Sequence, residues 1–153
     1  MFNDVFEHLP KPAAAFRQAA ELLTPEGLLV LNLPSSGGVL YRIAKALDVF
    51  GISSPLERMW QKGLSSPHLS LFNPDNLRAM AEKSEELETV DIFPLRTITR
   101  DGLRERVGST YAGPVGAFLV AGLWLGSFVY HPPLALSDIM AGIFRKRRQG
   151  KLE

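Results

Sequence analysis

A chain of 153 residues, 46% hydrophobic and 22% charged, is sized for one globular domain with its own core and is too short for two ordinary ones. A formal net charge of +1 gives no global attraction for nucleic acid, and the absence of cysteine excludes disulfide frameworks, thiolate metal sites and a cysteine nucleophile. No basic segment followed by a short apolar core opens the chain, so no secretory signal is expected and the cytoplasm is the default compartment.

In chain order, Phe2 to Val5 is a short stretch whose turn toward Pro10 leaves room for little strand. Ala13, Phe16, Ala19, Ala20 and Leu23 recur at helical spacing and predict an amphipathic helix over Pro12 to Leu23. Proline suits its first turn, where a missing N–H costs least. Thr24-Pro-Glu-Gly27 stops the helix, and the apolar run Leu28 to Leu33 is what a strand covered on both faces requires. Helix, tight turn and strand make half of an α/β unit.

After the flexible Ser35-Ser-Gly-Gly38, the positions Leu40, Ile43, Ala44, Leu47 and Phe50 predict one face of a second helix, which Gly51 ends. Ile52 to Leu71 is irregular, with Arg58, Trp60 and His68 among its residues, and reads as a long surface excursion of the kind that serves as a binding element or lid. Asn73 is placed to cap a helix beginning at Pro74, with Leu77, Met80 and Ala81 turned inward. Thr89 to Phe93 has weaker strand character, and Arg100 to Val107 suits a short helix. Leu136 to Phe144 has the composition of a final strand, with the basic run Arg145 to Arg148 expected as a solvated tail. The single domain is expected over 1–148, with 52–71 lid-like and 149–153 a tail.

No Asp, Glu, Lys or Arg occurs from Val107 to Ser137, and Pro114 to Val129 is almost wholly apolar. A membrane span needs about 20 apolar residues, so this run sits at the lower limit. The run is expected to be buried against the sheet or a partner chain, as a buried helix of an α/β domain would be; membrane contact through Pro114 to Val129 is the alternative.

Three segments, Asp4-Val-Phe-Glu-His-Leu-Pro10, Leu22-Leu-Thr-Pro-Glu-Gly-Leu-Leu-Val-Leu-Asn-Leu-Pro34 and His68-Leu-Ser-Leu-Phe-Asn-Pro-Asp-Asn-Leu77, stand in the order found in the second half of class I S-adenosylmethionine-dependent methyltransferases, which this chain resembles. The resemblance implies an α/β fold: a partial Rossmann-like methyltransferase sheet that keeps strands 4-5-7-6 of the family order, strand seven antiparallel, with flanking helices. It implies methyl transfer to a small-molecule acceptor, with S-adenosylmethionine as the cofactor of the intact enzyme. The family's Gly-rich turn after strand one and acidic residue after strand two, which hold the cofactor, find no counterpart here. The expectation is therefore a C-terminal half that binds the cofactor poorly and is inactive by itself. A second copy of the chain or a separately encoded first half is the partner that such a half would need.

Asp4, Glu7 and His8 form the densest chemical group, since positions i, i+3 and i+4 share a face if the turn is helical. They could act on protons or on a divalent cation, and they could equally cap backbone groups. An acidic-x-x-Glu-His arrangement resembles one that holds a metal in some quinone-biosynthesis methyltransferases. The resemblance implies that Asp4, Glu7 and His8 face the reaction centre, with Asn3 and Asp4 toward the cofactor; no metal is assigned. Trp60 could wall the methyl acceptor or anchor its loop by burial, and His68 could contact the acceptor or pack as an ordinary imidazole. Without interleaved aromatics or a recognition motif the basic run does not indicate nucleic acid. An interaction module without catalysis is the rival to an enzyme.

Overall fold

The computed structural model describes residues 1–95 and 137–147. In chain order they form β1 (Phe2–Asn3), a 3₁₀ turn (Phe6–His8), α1 (Pro12–Leu22), β2 (Leu28–Pro34), α2 (Val39–Val49), α3 (Ser54–Met59), α4 (Pro74–Ser84), β3 (Leu87–Leu95) and β4 (Ile139–Lys146). The strands make one mixed sheet in the order β1-β2-β4-β3. β1 and β2 run parallel with Phe2 opposite Leu31, whereas β4 is antiparallel to both β2 and β3. This is the 4-5-7-6 arrangement that the resemblance implies.

Register follows from burial. Leu29, Leu31 and Leu33 of β2 stand opposite Phe144, Gly142 and Met140 of β4, and their alternation places them on one face. α1 and α4 cover that face: Phe16 packs edge-on against Phe144 at 5.1 Å between ring centroids, and Leu77 and Ala81 join the same cluster. Phe6 extends the cluster toward β1, with Phe2 at 5.6 Å and Phe72 at 5.5 Å. The Phe16–Phe144 and Phe2–Phe6 pairs are edge-to-face, which suits the ring quadrupole, and Phe6–Phe72 is tilted.

Among the described residues cover is unequal on the two faces of β2: α1 and α4 both lie over Leu29, Leu31 and Leu33, while on the other face Leu28 is 50% exposed and Val30 and Asn32 are half-buried. α2 departs from its expected face. Ala44 is buried, but Leu40, Ile43 and Phe50 are exposed, and among the described residues the helix packs mainly against the short α3. Two further boundaries move. The final strand starts at Ile139, since Ser137 and Asp138 are occupied in joining β4 to the rest: Ser35 N–H donates to Asp138 O at 2.8 Å, and Asp138 Oδ1 caps α2 by accepting from Leu40 N–H at 2.8 Å. Arg145 and Lys146 belong to β4 instead of a solvated tail, and Lys146 Nζ donates to the Leu23 carbonyl that ends α1 at 2.8 Å. Arg147 likewise donates through Nε to Leu87 O at 3.1 Å.

Asn73 caps α4 as expected. Its side chain accepts from Asn76 N–H at 2.9 Å while Asn76 returns a bond to the Asn73 N–H at 2.9 Å. The expected helix over Arg100 to Val107, the apolar run Pro114 to Val129 and the tail 149–153 lie outside the described residues. Among the described residues no helix is long and apolar enough to cross a membrane.

Candidate functional site

The parallel pair β1 and β2 ends at one edge of the sheet, the edge at which open α/β sheets hold their ligands. Directly after β1 the chain turns sharply. Asp4 takes a left-handed backbone with φ of 51°, and its N–H donates to Asn32 O at 3.1 Å. The helical turn starts only at Phe6, so Asp4 lies outside it. Phe6 points into the core, and that anchoring carries its neighbour Glu7 inward, where the carboxyl is 1% exposed.

The Glu7 main-chain carbonyl then serves as a clamp. It accepts from Leu69 N–H at 2.8 Å and from Ser70 N–H at 3.0 Å, tying the return of the 52–71 excursion to the end of β1. That clamp sets His68 beside Glu7, with His68 Nε2 at 4.0 Å from Glu7 Oε1. His8 completes the group, its ring 4.8 Å from that of His68 and inclined edge-on. Each imidazole is oriented by a main-chain carbonyl: His8 Nδ1 lies 2.9 Å from Pro67 O, and His68 Nδ1 lies 2.8 Å from Met59 O. A carbonyl only accepts, so each Nδ1 carries its hydrogen and, in the neutral ring, each Nε2 keeps a lone pair. Burial pushes the Glu7 carboxyl above its ordinary range, a hydrogen bond to its own backbone and the nearby imidazoles opposing the rise and the Asp4 charge adding to it.

His68 faces a second feature. A cleft of about 380 Å³ is lined by Trp60 and His68 with Asp48, Ser53, Leu56, Glu57, Lys62 and Pro67. The excursion that forms it is partly ordered by α3, a helix that its irregular composition conceals, and His68 N–H closes it on Trp60 O at 3.1 Å. The two residues expected near an acceptor thus share one cleft. Of the three expected in the chemical group, Glu7 and His8 converge and Asp4 stands apart, exposed at the end of β1. Asn3, also exposed, accepts from Asn32 Nδ2 at 2.6 Å through its side-chain oxygen. Sequence reasoning missed the approach of His68 to Glu7, and it missed the cleft's polar residues Asp48, Ser53 and Lys62; no spacing signal links positions so far apart in the chain.

Residues 1–85 match a family model described as a methyltransferase domain. No curated protein matches the chain at a significant level. Among solved structures the chain is similar to one from Galdieria sulphuraria assigned as a sarcosine dimethylglycine methyltransferase, with 17% identity and a TM-score of 0.44. That alignment covers 96% of this chain and 52% of the other, so the chain spans about half the length of the structure it matches.

Proposed function

The chain belongs to the methyltransferase domain family, whose members generally use S-adenosylmethionine, and from that membership we propose that it supplies the acceptor side of methyl transfer to a small-molecule nucleophile. The observation that carries this reading is the double position of His68, which is at once a wall of the Trp60 cleft and a neighbour of the buried Glu7. Trp60 offers an aromatic wall against which a small acceptor can stack, and the polar residues at the cleft's margin can fix its orientation.

Orientation is where such a site does most of its chemistry, since the attacking atom must lie in line with the transferred methyl group and water must be excluded. Asp48 and Glu57 also line the cleft, but His68, paired with the buried Glu7, is the group to which we assign the acceptor's proton. His68 presents Nε2 for that transfer, and burial makes Glu7 a stronger base than an exposed carboxylate. When bound, the cofactor supplies an electrophilic methyl group. Asn3 and Asp4, both exposed at the carboxyl end of β1, are the residues that would contact it there.

A titration of isotope-labelled protein with small phenols, amines and carbon acids, followed through the Trp60 indole and His68 ring signals, tests this reading. At least one class should shift both sets saturably, and Trp60→Phe and His68→Asn should each weaken its binding by about tenfold or more, near 1.4 kcal/mol. If every class leaves Trp60 and His68 unmoved, the cleft is not an acceptor site.

A further inference from the structure

One carboxylate oxygen of Glu7 and one ring nitrogen each of His8 and His68 all lie within 4.8 Å of one another. Packing and the main-chain clamp bring the three residues together, but they leave one polar atom of the group unanswered. Glu7 is 1% exposed, yet its Oε2 has no hydrogen-bond partner among the described residues, an arrangement that costs free energy unless something takes up the lone pairs. The imidazoles point to what does. With each Nδ1 fixed on a main-chain carbonyl, Pro67 O for His8 and Met59 O for His68, the Nε2 atoms are left as the ligating nitrogens. Metal-bound histidines are held in the same manner, the second ring nitrogen donating to a carbonyl or carboxylate.

We propose that Glu7, His8 and His68 form a binding site for one divalent transition-metal ion of the zinc type. Two imidazoles and a carboxylate are a borderline donor set that favours such an ion over magnesium or calcium, which prefer oxygen ligands in larger number. Ligands about 2.1 Å from a tetrahedral ion lie about 3.4 Å apart. The 4.0 Å between His68 Nε2 and Glu7 Oε1 therefore closes with a small side-chain rotation. Three protein ligands leave a coordination position open, and because His68 also lines the Trp60 cleft, the ion sits at the cleft's edge. Asp4 precedes the turn and is not part of this cluster, so we leave it out of the ligand set. The ligand set therefore differs from an acidic-x-x-Glu-His set within one turn, its third member coming from the far end of the 52–71 excursion. The site stands on this cluster alone; only its relation to the acceptor rests on the reading of the cleft.

The test titrates the full chain, stripped by chelator, first with Co²⁺ and then with Zn²⁺. Visible absorption of low-coordinate cobalt should saturate at one equivalent and be displaced by one equivalent of Zn²⁺. His68→Asn and Glu7→Gln should each weaken Co²⁺ binding about 100-fold, a loss on the scale set by altering a site's ligand shell, while Asp4→Asn should leave the affinity within about twofold. X-ray absorption of the wild-type zinc complex needs no variant to fold and should count two imidazoles. Absence of saturable cobalt absorption, unchanged affinity in His68→Asn, loss of affinity in Asp4→Asn, or fewer than two imidazoles would each overturn the site. The acceptor reading would survive all of these results, because the Trp60 titration needs no metal.

Discussion

Glu7 is drawn inward by Phe6, whose ring is completely buried, so a carboxyl is placed where its charged form is disfavoured. The sign of the resulting pH dependence follows directly. A carboxyl raised above its unfolded value of 4.5 binds its proton more tightly in the folded chain, so stability is lost as pH rises through the folded value. In metal-free protein Glu7→Gln should therefore raise the melting temperature at neutral pH, and the gain should shrink to nothing toward pH 4. Melting curves of wild type and variant across pH 4 to 8 check this; a Gln variant that is less stable at pH 8 would be the contrary result. Chemistry was partly legible at this scale: Glu7, His8, Trp60 and His68 stand out by type and by the irregular loop around them. Two facts were not. Whether Asp4 joins the turn depends on a single left-handed backbone angle, and the meeting of Glu7 with His68 depends on main-chain hydrogen bonds from Leu69 and Ser70 that leave no trace in side-chain pattern.

α4 shows why some elements can be read directly and others cannot. Its start is dictated by Asn73, Pro74 and Asn76, all local, and its inner face by Leu77 and Ala81. Asn73→Ala should cost about 1 kcal/mol, lowering the melting temperature by roughly 2–4 °C for a chain of this size; thermal unfolding at neutral pH measures it. α2 looks equally amphipathic, yet its exposed Leu40, Ile43 and Phe50 show that periodicity states which face is apolar and not which neighbour covers it. β4 is a different case, because its bounds are set by partners distant in sequence, Asp138 bonding to Ser35 and Lys146 to the end of α1. Gly142 on that strand has a steric role that composition conceals. A Cβ there would stand 2.9 Å from Cε2 of the buried Phe144 ring, and that ring is pinned by Phe16. Gly142→Ala should accordingly destabilise by about 1–3 kcal/mol, the usual cost of overpacking, which chemical denaturation would show as a lower midpoint with unchanged slope.

At the scale of the molecule, the order β1-β2-β4-β3 was legible through the sequence of helix, turn, strand and capped helix, together with the resemblance they carry. β1 by itself was not, since a two-residue strand has no periodicity and exists only through its pairing with Leu31 and Asn32. The same sheet divides the work of the proposed reaction unequally. On the side proposed for the acceptor it brings together a cleft, an aromatic wall and the Glu7, His8 and His68 group, whereas the side proposed for the cofactor has Asn3 and Asp4 as exposed polar side chains among the described residues. Two such contacts by themselves would be too few to offset the freedom a ligand loses on binding. Calorimetry of the full chain with S-adenosylmethionine tests this division most directly: the account predicts no saturable heat at protein concentrations that would reveal a micromolar complex. A stoichiometric complex of micromolar affinity, about 8 kcal/mol of binding free energy, would contradict it by placing a complete cofactor site within this chain or its self-association.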